Sequence, residues 1–173
     1  MNLPSEFELY RVWPWVSVPS AIQGRDLARI AHHEAGHIVL MEWAGLVPLD
    51  ATATDERGVA RFDPLQAMSD AQSHEYNRPL AAAQAASIFH AGIVAELIYA
   101  GLTWQGLTVR LNSDDWGKAQ AILKPHFGHH GSAGHGYAQR LALAVLKSEA
   151  VRFKQIAAQL IAHGEWRPED AVI

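Results

Sequence analysis

The chain has 173 residues, 49% of them hydrophobic and 18% charged, which is one domain's worth of sequence with enough apolar content to bury a core and too much for wholesale disorder. Lys plus Arg total 14 against 18 Asp plus Glu, a formal charge of -4, so there is no broad cationic field to hold a polyphosphate backbone and no nucleic-acid partner is expected. Cysteine is absent, which removes disulfides, thiolate nucleophiles and sulfur-ligated metals; any metal site must be built from His, Asp or Glu.

Residues 1–24 carry Pro4, Pro14 and Pro19 with Trp13 and Trp15, and read as an extended arm packed on the body, with no assigned role. Glu6 and Glu8 precede the first basic residue and no long apolar stretch follows, so no secretory signal is evident; with the lack of cysteine this points to the cytoplasm. From Arg25 to Trp43, Leu27, Ile30, Ile38 and Met41 recur at helical spacing and predict the first helix. Residues 49–54 and 59–62 flank the turn chemistry of Asp55-Glu56-Arg57-Gly58 and predict a small hairpin. Asp63-Pro64 suggests the cap of a short helix, and 69–78 a surface connection, before Pro79 opens a second long helix ending near Gly101. Gln84, Ser87, His90 and Glu96 interrupt its apolar run before the roughly 18 residues of a bilayer span, so a buried helix and no membrane span are expected.

Ser113 reads as an N-cap, with Asp114 and Asp115 in the first turn of a helix expected to end by Pro125. Residues 125–136 are rich in Gly and hold His126, His129, His130 and His135; a mobile lid over a cleft is the stronger reading, a second transition-metal site the weaker. Residues 137–163 contain no Gly or Pro and predict one long helix or two shorter ones, stopped by Gly164. The fold class is therefore mainly α, with a small β-hairpin or edge strand, on which an extended peptide could lie, beside the first helix.

The chemistry-bearing segment is His33-Glu34-Ala35-Gly36-His37, a His-Glu-x-x-His string inside the first predicted helix. At about 100° per residue, His33, Glu34 and His37 fall in the arc of Leu27, Ile30, Ile38 and Met41 and so point toward the core. A buried, unpaired imidazole or carboxylate costs on the order of 1–3 kcal/mol, whereas Zn²⁺ between the imidazoles turns that liability into a ligand set. His32 points to the opposite face and reads as a surface residue. Two imidazoles call for a third protein ligand and leave a position for water, with Glu34 placed as the base that deprotonates it. Glu96 and Asp115 both suit the third place. Glu96 shares a face with Phe89, Ile93 and Ala100 and needs a cationic or metal partner; Asp115 is equally well explained by the helix dipole.

The His33–His37 string, then Ala91-Gly92-Ile93-Val94-Ala95-Glu96-Leu97, then Asn112-Ser113-Asp114-Asp115 followed by Ala119, resembles in content and order the peptidase domain of the FtsH-type AAA proteases. With His163-Gly164-Glu165-Trp166 and Pro168-Glu169-Asp170 similar to that family's closing helix and tail, the resemblance spans residues 25–173. It implies a compact helical zinc-peptidase domain whose ligands are His33, His37 and Asp115, with Asp114 as the fallback, Glu34 as the catalytic base and Glu96 supporting the site from behind. Two departures stand out: Arg110-Leu111-Asn112 replaces the family's Gly-Ala, and no Gly-x-x-x-x-Gly-Lys-Ser/Thr loop occurs in these residues. The expected function is a zinc metalloendopeptidase acting on peptides or unfolded protein segments, ATP-independent by itself. The resemblance also leaves room for a homo-oligomer and for a separate ATPase partner. The competing expectations are a non-proteolytic metal-binding regulatory or assembly partner and a hydrolase of small amides.

Overall fold

The Asp26 side chain accepts a hydrogen bond from the Ala28 amide at 3.2 Å and so opens helix α1, Leu27–Trp43, which carries the His-Glu-x-x-His string. The computed structural model of the chain describes residues 1–62, 78–104, 106–111, 113–128 and 132–168. After α1 come the strands β2, Pro48–Ala53, and β3, Gly58–Phe62, paired antiparallel as the hairpin expected from the turn residues Asp55-Glu56-Arg57-Gly58. Thr54 Oγ1 accepts from the amides of Glu56 and Arg57 and locks the turn. On the other side of β2 lies β5, Glu165–Trp166, giving the order β3-β2-β5 and leaving β3 at an edge of this sheet among the described residues. Sequence patterning did not reveal β5, because a two-residue strand has no period; the wholly buried Trp166 is its anchor.

Four further helices complete the described body: α2, Arg78–Tyr99; α3, Asp114–Phe127; α4, Ser132–Ser148; and α5, Ala150–His163. The architecture is mainly α with small sheets. By length and composition the segment Pro79–Tyr99 could cross a bilayer, yet its most apolar window is 72% buried, and α1, α3 and α4 pack around it. It is the core helix. Small residues set how closely α1 approaches it. A Cβ added at Gly36 would lie 2.6 Å from the Ala91 carbonyl oxygen and 2.7 Å from Ala95 Cβ, so only glycine lets the two backbones meet there.

Several expectations change. The arm 1–24 is not wholly irregular: it holds a 3-10 turn at Glu6–Glu8, strand β1 at Trp15–Ser17 and a second 3-10 turn at Ser20–Ile22. Strand β1 pairs in parallel with β4, Thr108–Arg110, so backbone bonds from a distant segment impose order that local composition does not. Trp13 sits against the guanidinium groups of Arg11 and Arg140, 3.9 and 3.5 Å from the ring centroid. Helix α3 runs past Pro125 to Phe127; the proline falls in the last turn, and Gly128, at φ 79°, ends the helix. The glycine- and histidine-rich stretch is accordingly helix at both ends, since α4 begins at Ser132. Residues 137–163 form parts of two helices, broken at Glu149, and Gly164 caps α5 in the left-handed conformation as predicted. The cap at Asp63-Pro64 and the connection 69–77 lie outside the described residues, while Arg78 already belongs to α2.

The α1–α2 crossing yields a stability test. In an exposed helix Gly→Ala is favourable by about 1 kcal/mol, but at Gly36 the methyl group meets a backbone carbonyl that cannot rotate away. Gly36→Ala should therefore destabilise the fold by about 1–3 kcal/mol, read as a lowered denaturation midpoint. An unchanged or raised midpoint would show that the helices are not in this contact.

Candidate metal centre

Two turns of α1 and the first turn of α3 supply the site, and α2 orients it. His33 Nδ1–H donates to Glu96 Oε1 at 2.5 Å, and His37 Nδ1–H donates to the Ile88 carbonyl oxygen at 2.7 Å. With the Nδ1 atoms committed as donors, the Nε2 atoms are the nitrogens that could ligate a metal. Both face the same atom: His33 Nε2 and His37 Nε2 each lie 3.3 Å from Asp115 Oδ2. Asp115 reaches this point because Ser113 caps α3, its side chain accepting from the Trp116 amide at 3.3 Å and fixing the first turn.

A tetrahedral ion with bonds of about 2.0–2.2 Å holds its ligand atoms about 3.3–3.6 Å apart. Two of the three edges already have that length, and the three ligating atoms lie within 4.8 Å of one another. Two imidazole nitrogens and one carboxylate oxygen suit Zn²⁺, with a fourth position free for water or substrate. The donor set therefore fits a resident divalent ion. Asp114, in contrast, is exposed and is not part of this cluster.

Glu96 finds the cationic partner its burial demands: Arg29 Nη1 donates to Oε2 while His33 occupies Oε1. The carboxylate thus fixes the His33 ring and is itself neutralised from α1. Gly92, one turn before Glu96 on α2, faces the same ring, and a Cβ there would overlap His33. Glu34 is 5% exposed and lies under the start of β3, where a Cβ on Gly58 would come 2.5 Å from its Oε1.

Electrostatics follow from burial. Burial alone would lower the His33 imidazole, but hydrogen bonds to Asp115 and Glu96 and the charges of Glu34 and Glu96 outweigh it and raise its pKa to about 10. Burial raises the Glu34 carboxyl above its ordinary range, against the opposing pull of His37 and His33. Burial would raise Asp115 too, but the hydrogen bonds and charges of His33 and His37 hold it far below the usual carboxylate range.

The other histidines do not assemble into a second metal cluster among the described residues. His126 lies in the last turn of α3, and His129 and His130 fall outside the described residues. His135 is fully buried, its Nδ1 accepting from His90 Nε2 at 2.7 Å. His32 is half-buried rather than a free surface residue, because its Nδ1–H donates to the Ala28 carbonyl at 2.6 Å and its ring stacks on Tyr99 at 4.1 Å. Arg29 and the Ile88 carbonyl escaped the sequence reading: a backbone carbonyl carries no sequence signature, whereas the demand of buried Glu96 for a cation was the available hint. No family model and no curated protein matches this chain.

Two outcomes check the ligand set. Asp115→Ala should abolish tight metal binding while Asp114→Ala leaves it intact, measured by competition with a chromophoric chelator; the reverse pattern would move the ligand to Asp114. His33, protonated at neutral pH without metal, must give up its proton to coordinate. Calorimetric titration with Zn²⁺ at neutral pH, in buffers of different ionisation enthalpy, should report release of about one proton per ion, and apparent affinity should rise as the pH rises toward 10. Affinity independent of pH across the neutral range would contradict this.

Proposed function

We propose that the protein is a zinc-dependent endopeptidase of the His-Glu-x-x-His type, similar to the peptidase domain of FtsH-type AAA proteases, cleaving peptides or unfolded segments. The observation that carries the reading is the convergence of His33 Nε2 and His37 Nε2 on Asp115 Oδ2, with the buried carboxylate of Glu34 on the same helix. Zn²⁺ held by these three residues would supply Lewis acidity and water of lowered pKa. Glu34 then removes a proton from the water attacking the peptide carbonyl and returns it to the departing amine, so that the C–N bond breaks and the proton count balances. Arg29 and Glu96 keep the His33 ring in register throughout.

Substrate geometry follows from β3. That strand pairs only with β2 among the described residues, and its first residue, Gly58, lies against Glu34. An extended peptide adding to this edge would be held by backbone hydrogen bonds, with little demand on side-chain identity, and would run beside the base.

Glu34→Gln removes the base and keeps size and polarity. The variant should retain stoichiometric zinc and lose hydrolysis of a denatured casein substrate by at least about 100-fold. Undiminished turnover would refute the role of Glu34. A wild-type protein that binds zinc tightly but cleaves no denatured substrate would favour a metal-binding regulatory or assembly partner instead.

A further inference from the structure

A buried chain of polar side chains lies behind the third ligand and is not used in the reaction described above. Gln139 on α4 clamps strand β4, accepting from the Val109 amide at 2.9 Å and donating to the Val109 carbonyl at 2.7 Å. The same Gln139 Nε2 donates to His90 Nδ1 at 3.4 Å. His90 Nε2–H donates to His135 Nδ1 at 2.7 Å, and His135 Nε2–H donates to Gln120 Oε1 on α3 at 2.7 Å. Each assignment forces the next. Because Gln120 offers an oxygen, His135 must carry its proton on Nε2, so its Nδ1 accepts, so His90 must carry its proton on Nε2. The row has one proton order and every member is matched. His90, His135 and Gln139 are each 0% exposed, where an unmatched polar group would be costly.

The row ends on the helix that bears Asp115. Trp116 stacks on the His135 ring with centroids 3.9 Å apart and planes 7° from parallel, and meets His90 edge-on at 5.4 Å. Gln120, one turn further along α3, takes the hydrogen bond from the same imidazole. One buried ring thus grips the first two turns of α3 by stacking and by hydrogen bonding, and through His90 ties them to α2. Burial lowers the pKa of both imidazoles, that of His135 to about 4, so the neutral pair persists at neutral pH.

We propose that the His90–His135 pair is a positioning device for the metal centre, holding Asp115 at ligating distance from His33 and His37 through Trp116 and Gln120. The proposal rests on the metal-centre reading above. It makes α2 the common reference for all three ligands: Glu96 for His33, the Ile88 carbonyl for His37, and His90, by way of His135, for Asp115.

The test uses the full chain loaded with Co²⁺, whose visible d–d absorption reports coordination geometry. His135→Phe keeps a ring to stack on Trp116 but removes both hydrogen bonds; Gln120→Leu, at a half-buried position, removes only the last one. Both should remain folded by circular dichroism, bind Co²⁺ about tenfold more weakly or worse and show an altered d–d spectrum. Tyr137→Phe deletes a hydrogen bond of similar depth on the same helix α4, to the Pro4 carbonyl, and should change neither affinity nor spectrum. If His135→Phe fails to fold, Gln120→Leu carries the same expectation. Wild-type affinity and spectrum in Gln120→Leu and in any folded His135→Phe would overturn the proposal, as would an equal loss in Tyr137→Phe. A wild-type chain that binds no Co²⁺, or His33→Ala binding it unchanged, overturns the metal centre itself and this proposal with it, a result distinct from loss confined to the network variants.

Discussion

His33 and His37 are oriented from behind, by oxygens of a single buried helix. The Glu96 carboxylate and the Ile88 carbonyl each accept a hydrogen bond from an Nδ1–H, and that commitment turns both Nε2 atoms toward Asp115. A hydrogen bond of this kind contributes only about 1 kcal/mol net to folding, and somewhat more when the acceptor is charged. Its consequence for the site is larger, since an imidazole rotated about its ring axis presents the wrong nitrogen. The close meeting of α1 and α2, possible because Gly36 lies against Ala91 and Ala95, brings those oxygens within reach.

Charge at the site is balanced in layers. Arg29 neutralises Glu96, so Glu96 can be buried beside His33 without an uncompensated charge. Asp115, Glu34 and two imidazoles remain around the ion's place, and burial raises Glu34 while the histidines hold Asp115 ionised. Two carboxylates near the same imidazoles are thereby shifted in opposite directions by their surroundings, which suits them to the separate tasks of ligand and base in the proposed reaction.

How much of this was legible in the sequence depended on the range of the interaction that enforces it. The string His33-Glu34-x-x-His37 on an amphipathic stretch placed three polar groups on the inward face of α1, and the Ser113 cap placed Asp115 in a first turn; both are local rules and both agree with the fold. The hairpin expected over 49–62 was equally readable from its β-prone runs and turn residues. Physics alone left Glu96 and Asp115 as equal candidates for the third place, because the choice depends on which of them lies opposite Nε2, and that depends on how α3 crosses the bundle. The β1–β4 pair, the strand β5 and the Gln139–His90–His135–Gln120 row join residues far apart in the chain, and no local period announces them. A hint was present in His90, a polar residue inside an apolar helix, which demanded a buried partner without saying which.

The most direct check is a crystal structure of the protein grown with Zn²⁺, with anomalous difference density collected on either side of the zinc absorption edge. One peak per chain is expected, about 2.0–2.2 Å from His33 Nε2, His37 Nε2 and an Asp115 oxygen, with Glu96 still bonded to His33 Nδ1. A peak elsewhere, or imidazoles turned so that their Nε2 atoms diverge, would contradict the account.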